Sequence, residues 1–321
     1  NQSNKFYKID YTRIKMEIGI DLGGSHVAIG LIDDNYEIVE KRTYYMSNKK
    51  EETLENYILS CIVSGINEIL NSTNFKLTQI ESIGIATPGE PKGGIIKNVV
   101  NLGIKEFNIE EQLNKVLGQN SKIQIKIGND AKCAALAEKH KGSLREYKDC
   151  VFLCIGTGIG GAAFMNNVFL KPARNSGFEF GHIIIKKDGK KCNCGNNGCF
   201  EAYCSKREFK KEMQRILGIE EYIGAKELTQ KINENINNRQ VKNLLEEYIE
   251  NLEIGISNII NILEPQAICI GGSISHYDEL ILDKLRERIY NGKYLFNKEE
   301  PPKILAATEG NEAGIIGATL L

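Results

Sequence analysis

The chain has 321 residues, 41% hydrophobic and 26% charged, and its 41 basic and 42 acidic side chains leave a formal net charge of -1. That length exceeds one ordinary core and suits two of roughly 150 residues each, while no apolar run approaches the roughly 20 residues that cross a bilayer. So even a charge balance creates no global positive field, and neither nucleic acid nor a membrane is an expected partner.

Residues 1–15 are polar, with Lys5, Lys8, Arg13 and Lys15 but no apolar stretch of the secretory kind, so a cytoplasmic address is expected. Met16 immediately precedes the first strand-like run, which sets 1–15 apart as an N-terminal extension or an expression remnant. Glu17 to Asp21 reads as a strand, followed by a glycine turn, a second strand from Val27 to Asp33 and a third after Asp34-Asn35. This is a meander rather than a strand-helix-strand start. Leu54, Ile58, Cys61, Ile62, Ile66 and Ile69 recur at spacings of three and four and predict a helix over about 52–70. Ser82 to Ala86 reads as a buried strand that Thr87-Pro88-Gly89 ends. Ile123 to Ile127 is a further strand, and Asn129-Asp130 then opens an alanine-rich helix.

The second half repeats the opening theme. Val151 to Ile155 runs into Gly156-Thr157-Gly158-Ile159-Gly160-Gly161, and a strand resumes from Ala162 to Phe164, which implies an internal duplication. Helices dominate from about Lys206 to Leu263, the strand Ala267 to Ile270 meets Gly271-Gly272-Ser273, and Glu312 to Leu321 reads as a helix with small residues at Ala313, Gly314, Gly317 and Ala318. Nine cysteines, an odd number, argue against a complete disulfide framework. Cys61, Cys133, Cys150, Cys154 and Cys269 lie in apolar surroundings and read as core thiols.

Three glycine turns each follow an apolar strand: Asp21-Leu22-Gly23-Gly24-Ser25, the Gly156 to Gly161 turn, and Gly271-Gly272-Ser273. Without Cβ atoms in the way, backbone N–H groups can converge on phosphate oxygens, although any one such turn is also ordinary hairpin geometry. Three together favour a polyphosphate ligand. The chain has no Walker-type lysine motif and no glycine turn feeding a crossover helix, so a duplicated, hinged nucleotide fold fits better than a P-loop or Rossmann unit. A separate string, Cys192-Asn193-Cys194-Gly195-Asn196-Asn197-Gly198-Cys199, brings three thiols close together, and His182 stands ten residues upstream of it. Together they supply a Cys₃His set, which suits a closed, structural Zn²⁺ site; the alternatives are a reduced cysteine loop or a disulfide, which the short Cys192–Cys194 spacing and a reducing cytosol oppose. Asp130 at a helix start reads either as a capping residue or as an ionised carboxylate ready to accept a proton.

With these motifs the layout resembles the actin-like ATPase superfamily and, more narrowly, the ROK family of bacterial sugar kinases and repressors, over nearly everything after Met16. The resemblance implies an α/β, two-lobed actin-like ATPase (ribonuclease H-like) fold with ATP and sugar in the interdomain cleft. It implies a smaller lobe of 16–122 plus 307–321, closed by the C-terminal helix, and a larger lobe of 123–306. Asp21, Gly23, Gly24 and Ser25 would wrap the phosphates of MgATP, with Asp21 near the Mg²⁺. Gly156, Thr157, Gly158 and Gly160 would form the second phosphate loop, and Gly271, Gly272 and Ser273 the adenosine side. Family members commonly have threonine and lysine where this chain has Ser25 and His26.

The same resemblance makes Asp130 the catalytic base, in Asn129-Asp130-Ala131, and gives sugar contacts to Gly89, Asn101, Asn129, Asp130, Glu179, His182 and Glu201. Glu179-Phe180-Gly181-His182 matches the ExGH motif and Cys192 to Glu201 the CxCGxxGCxE zinc signature, while Phe178 occupies a place that is usually glycine. His182, Cys192, Cys194 and Cys199 would hold the zinc ion, which is expected to brace the sugar carboxylates rather than the nucleotide turns. The implied activity is transfer of the γ-phosphoryl group of ATP to the 6-hydroxyl of a hexose, most simply glucose, by a homodimer. The glutamate of ExGH resembles glucokinases and N-acetylglucosamine kinases, whereas N-acetylmannosamine kinases can carry histidine there. A fructokinase is a further alternative. A ROK-type sugar-sensing regulator is the alternative from another class, and it is disfavoured because only fifteen residues precede Met16, too few for a DNA-binding domain.

Overall fold

The computed structural model describes residues 15–49, 53–89, 91–99, 103–118, 123–173 and 177–321. Residues 1–14 and the Asn101-Leu102 pair lie outside the described residues. The chain forms two compact units, the first up to Cys133 together with Glu312–Leu321, the second Ala134–Asn311.

The first unit is built on a five-stranded sheet of order β3-β2-β1-β4-β7. β1 (Met16–Leu22), β2 (His26–Ile32) and β3 (Ile38–Tyr45) form the antiparallel meander, and β4 (Ile80–Thr87) and β7 (Gln124–Asn129) add parallel to β1. β1 and β4 are apolar along nearly their whole length because helices cover both faces. On one face lies α1 (Leu54–Thr73), N-capped by Thr53, whose hydroxyl accepts from the Asn56 amide, and burying Ile58, Cys61, Ile62, Ile66 and Ile69. A hairpin of β5 (Ile95–Val99) and β6 (Ile104–Asn108) leads into α2 (Ile109–Leu117).

On the other face lies the C-terminal helix α9 (Ala313–Thr319). It fits there because Gly30, Gly19 and Gly84 stand in register across β2, β1 and β4. A Cβ at Gly84 would fall 1.8 Å from the Ala318 carbonyl oxygen, and one at Gly19 2.0 Å from that of Ile315. Helix backbone therefore rests directly on strand backbone. Next in this row comes Lys126 on β7, opposite Gly84, whose ammonium donates to the Leu321 carbonyl.

α3 (Asp130–His140) leads from β7 into the second unit. The sequence reading divides the lobes at 122/123 and 306/307, whereas the structure divides them at 133/134 and 311/312. The reason is that β7 hydrogen-bonds to β4 as the fifth strand of the first sheet, and its sheet partner could not be read from its apolar pattern.

The second unit repeats the topology. β8 (Cys150–Ile155), β9 (Ile159–Met165) and β10 (Val168–Phe169) form a second antiparallel meander, and β11 (Ala267–Gly271) and β12 (Lys303–Ala306) add parallel to β8, in the order β10-β9-β8-β11-β12. The duplication expected from the glycine turns is thus present in strand order and direction alike. α4 (Phe200–Cys204), α5 (Lys206–Leu217), α6 (Ala225–Glu234), α7 (Arg239–Leu263) and α8 (Asp278–Tyr290) complete a core that includes Phe200, Phe209, Tyr248 and Leu285. Glu138 on α3 is fully buried, and its carboxylate accepts from the amides of Ser143, Thr308 and Glu309 at 2.8–2.9 Å, so its charge is met by backbone dipoles.

Candidate functional site

In the first unit, Asp21 stands opposite Ala86 of β4, and Thr87 of β4 opposite Asn129 of β7. The carboxyl ends of three adjacent parallel strands therefore present Asp21, Thr87-Pro88-Gly89 and Asn129-Asp130 along one edge, the position at which open α/β sheets bind ligands. The turn after β1 is closed by the Gly23 amide donating to the His26 carbonyl at 3.0 Å. Among the described residues, the amides of the exposed Gly24 and Ser25 have no acceptor. The Ser25 hydroxyl lies 3.2 Å from Nδ1 of His26.

Asn129 organises the other end of this edge. Its side-chain amide donates to the Gly89 carbonyl at 2.9 Å, while its Oδ1 accepts from the Lys132 amide at 3.2 Å. Asn129, rather than Asp130, is thus the N-cap of α3. Asp130 accepts from the Ala131 amide at 2.8 Å and keeps its carboxylate exposed. Burial, and then the charge of Asp130, push the carboxyl of Asp21 up to about 6. Two carboxyls and two backbone donors without an acceptor among the described residues, on the ends of adjacent strands, suit a ligand that brings both anions and a cation.

In the second unit, the turn after β8 is closed by the Gly156 amide on the Gly158 carbonyl at 2.9 Å. Here too two adjacent amides, those of Thr157 and Gly158, have no acceptor among the described residues. The third glycine turn comes beside the second: a Cβ on Gly156 would lie 3.8 Å from the Ser273 hydroxyl, and Gly272, at φ 81, packs on the backbone of Ile155. Sequence reasoning did not foresee that Glu201 reaches this turn, its Oε2 accepting from the Ile159 amide at 2.9 Å.

The ligand atoms of His182, Cys192, Cys194 and Cys199 all lie within 4.8 Å of one another. Cys194 and Cys199 sulfurs are 3.6 Å apart, and Cys192 Sγ is 3.7 Å from Nδ1 of His182. A tetrahedron with Zn–S of about 2.3 Å and Zn–N of about 2.0 Å has edges of about 3.8 and about 3.5 Å, so the four donors fit that ion. The chain folds back at Gly195 and Gly198, both at positive φ, and the Cys192 amide donates to Asn196 at 2.8 Å. Cys204 is buried outside this cluster.

Glu179 is exposed, and its carbonyl accepts from the His182 amide at 2.9 Å, closing the short 3-10 turn Phe180–His182. Phe178 sits at φ 60, the left-handed conformation that explains a preference for glycine at this place. The first unit thus gathers Asp21, Gly23, Gly24, Ser25, Gly89, Asn129 and Asp130. The second gathers Gly156 to Gly160, Gly271 to Ser273, Glu179, Glu201 and the four metal-type ligands. Asn101 lies outside the described residues. Gly314, which touches Asp21, was visible in the sequence only as one small residue of the last helix.

Residues 17–321 match the ROK family. The chain is 26% identical over 315 residues to a glucokinase of Halalkalibacterium halodurans, covering 94% of this chain and 92% of that one. It is 28% identical over 289 residues to a xylose repressor of Caldicellulosiruptor bescii, covering 87% of this chain and 71% of the repressor. Among solved structures, a ROK hexokinase from Thermus thermophilus superposes with a TM-score of 0.76 at 25% identity, covering 95% of this chain and 97% of that one.

Proposed function

Because the chain belongs to the ROK family and has its two-lobed actin-like ATPase fold, we propose that it is an ATP-dependent sugar kinase that phosphorylates the 6-hydroxyl of a hexose, glucose before others. One observation carries the reading: the Asp130 carboxylate is exposed and relieved of capping by Asn129, at a sheet edge that also offers the free amides of Gly24 and Ser25. A solvated regulator surface gives no reason for that division of labour.

In this reading the amides of Gly24, Ser25, Thr157 and Gly158 bind phosphate oxygens, with Gly160 allowing close approach and Gly271, Gly272 and Ser273 on the adenosine side. Asp21 holds Mg²⁺ directly or through water, which offsets phosphate charge. Asp130 accepts the proton of the attacking hydroxyl, and Gly89, Asn101, Asn129, Glu179, His182 and Glu201 orient the sugar. Zn²⁺ held by His182, Cys192, Cys194 and Cys199 supplies a structural crosslink and no chemistry.

A coupled ADP-release assay with MgATP and a panel of hexoses and N-acetylhexosamines tests the reading. Glucose is expected to give the highest kcat/KM. A tenfold preference for an N-acetylated sugar replaces glucokinase with N-acetylhexosamine kinase, and a fructose preference replaces it with fructokinase. The similarity to a xylose repressor supports a second reading, a sugar-sensing regulator, which sugar binding without ADP release would favour.

A further inference from the structure

Glu201 stands two residues after Cys199, at the start of α4, whose entry is fixed by the Phe200 amide donating to the Ile183 carbonyl at 2.8 Å. One carboxylate oxygen, Oε2, accepts from the Ile159 amide at 2.9 Å, and the other, Oε1, lies 3.9 Å from Cys192 Sγ. A single side chain therefore spans the Cys/His cluster and the second glycine turn. The contact with the turn is tight, because a Cβ on Gly158 would fall 2.4 Å from Oε2. At the turn's other end the Lys206 amide donates to the Gly156 carbonyl at 2.9 Å, and the Ser205 amide donates to the Glu201 carbonyl at 3.1 Å. The stretch from Glu201 to Lys206 thus grips the turn at Gly156 and at Ile159, and between them the amides of Thr157 and Gly158 have no acceptor among the described residues.

The geometry points to Glu201 as a positioning residue for the nucleotide: its carboxylate holds the Gly156–Ile159 turn in its phosphate-binding shape and makes that shape depend on an occupied Cys/His cluster. The inference rests on the ATP-dependent reading above and adds to it. A hydrogen bond from a backbone amide to a carboxylate is charge-assisted and strong, and beside the bonds that hold Gly156 it is the contact that fixes the Ile159 end of the turn. Removing the carboxylate releases the Ile159 end of the turn and lets the amides of Thr157 and Gly158 shift. A cation in the cluster offsets thiolate charge beside Oε1 and keeps the carboxylate in place. Were Glu201 only a sugar ligand, its loss would leave nucleotide affinity unchanged.

The test is calorimetric titration of a non-hydrolysable ATP analogue with Mg²⁺, and separately of glucose, into the wild type and into Glu201→Ala, Glu201→Gln and Glu179→Gln. Zinc content is measured by elemental analysis and folding by circular dichroism. Glu201→Ala is expected to weaken the analogue at least tenfold, whereas Glu201→Gln, which keeps an acceptor for the Ile159 amide, recovers most of that loss. Glu179→Gln is expected to weaken glucose alone. Chelation of the wild type is expected to weaken the analogue several-fold and to have no further effect in Glu201→Ala. Hydrogen exchange at the Ile159 amide gives an independent readout, slow in the wild type and accelerated in both Glu201→Ala and the chelated protein. Analogue affinity within twofold of wild type in Glu201→Ala, or an unchanged Ile159 exchange rate, overturns the positioning role alone. A wild type that binds no nucleotide overturns the kinase reading and this inference with it.

Discussion

Gly314 meets the carboxyl group of Asp21 so closely that a Cβ at that position would lie 2.6 Å from Asp21 Cγ. The last helix thus reaches back to the first strand at the carboxylate proposed to hold Mg²⁺. Gly314→Ala puts a methyl group where the carboxylate now sits, while alanine is the better helix former by about 1 kcal/mol. Activity and stability should therefore separate. The affinity for MgATP is expected to fall at least tenfold while the melting temperature stays within a few degrees of wild type, and steady-state kinetics alongside thermal melts checks both. Unchanged kinetics would show that Asp21 can move aside without consequence.

Asp21 also sets a pH dependence. Its carboxyl is raised from 3.8 to about 6 in the folded chain, by burial first and Asp130 second, so the folded protein holds this proton more tightly than the unfolded chain does. The stabilisation is fully present below pH 3.8 and is lost as pH rises through about 6. At pH 7 the ionised group costs at most about 3 kcal/mol. Asp21→Asn removes the ionisation, so the ligand-free variant is expected to be the more stable protein at pH 7 and to lose that advantage at pH 4. Urea midpoints at the two values decide, and an advantage that does not depend on pH contradicts the assignment.

Asn129 and Asp130 are adjacent but should fail in different ways. Asp130→Asn keeps shape and leaves the cap on Asn129 untouched, so phosphoryl transfer is expected to drop by on the order of 10² to 10⁴ with sugar and nucleotide affinities within a few-fold. Asn129→Ala removes the cap and the bond to Gly89, which costs about 1 kcal/mol for the cap alone. Thermal melts of the pair, with kcat for each, separate the roles. More than about a tenth of wild-type kcat in Asp130→Asn would remove it as the base.

What could be read from the sequence was local. Each glycine turn is announced by the strand before it, and the thiols of Cys192, Cys194 and Cys199 are close because the chain between them is short and rich in glycine. Relationships across the sheet could not be read this way. Gly30, Gly19 and Gly84 are unremarkable residues of three separate strands until register aligns them under α9, and nothing in the apolar pattern of β7 says which sheet it joins. The same holds for Glu201, whose partner at Ile159 is 42 residues away. The capping role of Asn129 was ambiguous for another reason: asparagine and aspartate are both good caps, and only the bond to the Lys132 amide separates them.

The cysteine cluster carries the remaining prediction. Cys199 is fully buried and Cys194 exposed, yet their sulfurs are 3.6 Å apart, so one ion would tie a core position to a surface loop. About one zinc per chain is expected by elemental analysis in protein purified without chelator. Cys194→Ser should lose the metal and leave the core packed, because serine at an exposed position finds water as a partner. Cys199→Ser should lose the metal and, in addition, bury a hydroxyl with no designed partner, a cost of about 1–3 kcal/mol. The two variants are then equal in zinc content and unequal in melting temperature, with Cys199→Ser the lower. Equal melting temperatures would mean that the metal alone sets stability there, and wild-type protein without near-stoichiometric zinc would remove the ion from the account altogether.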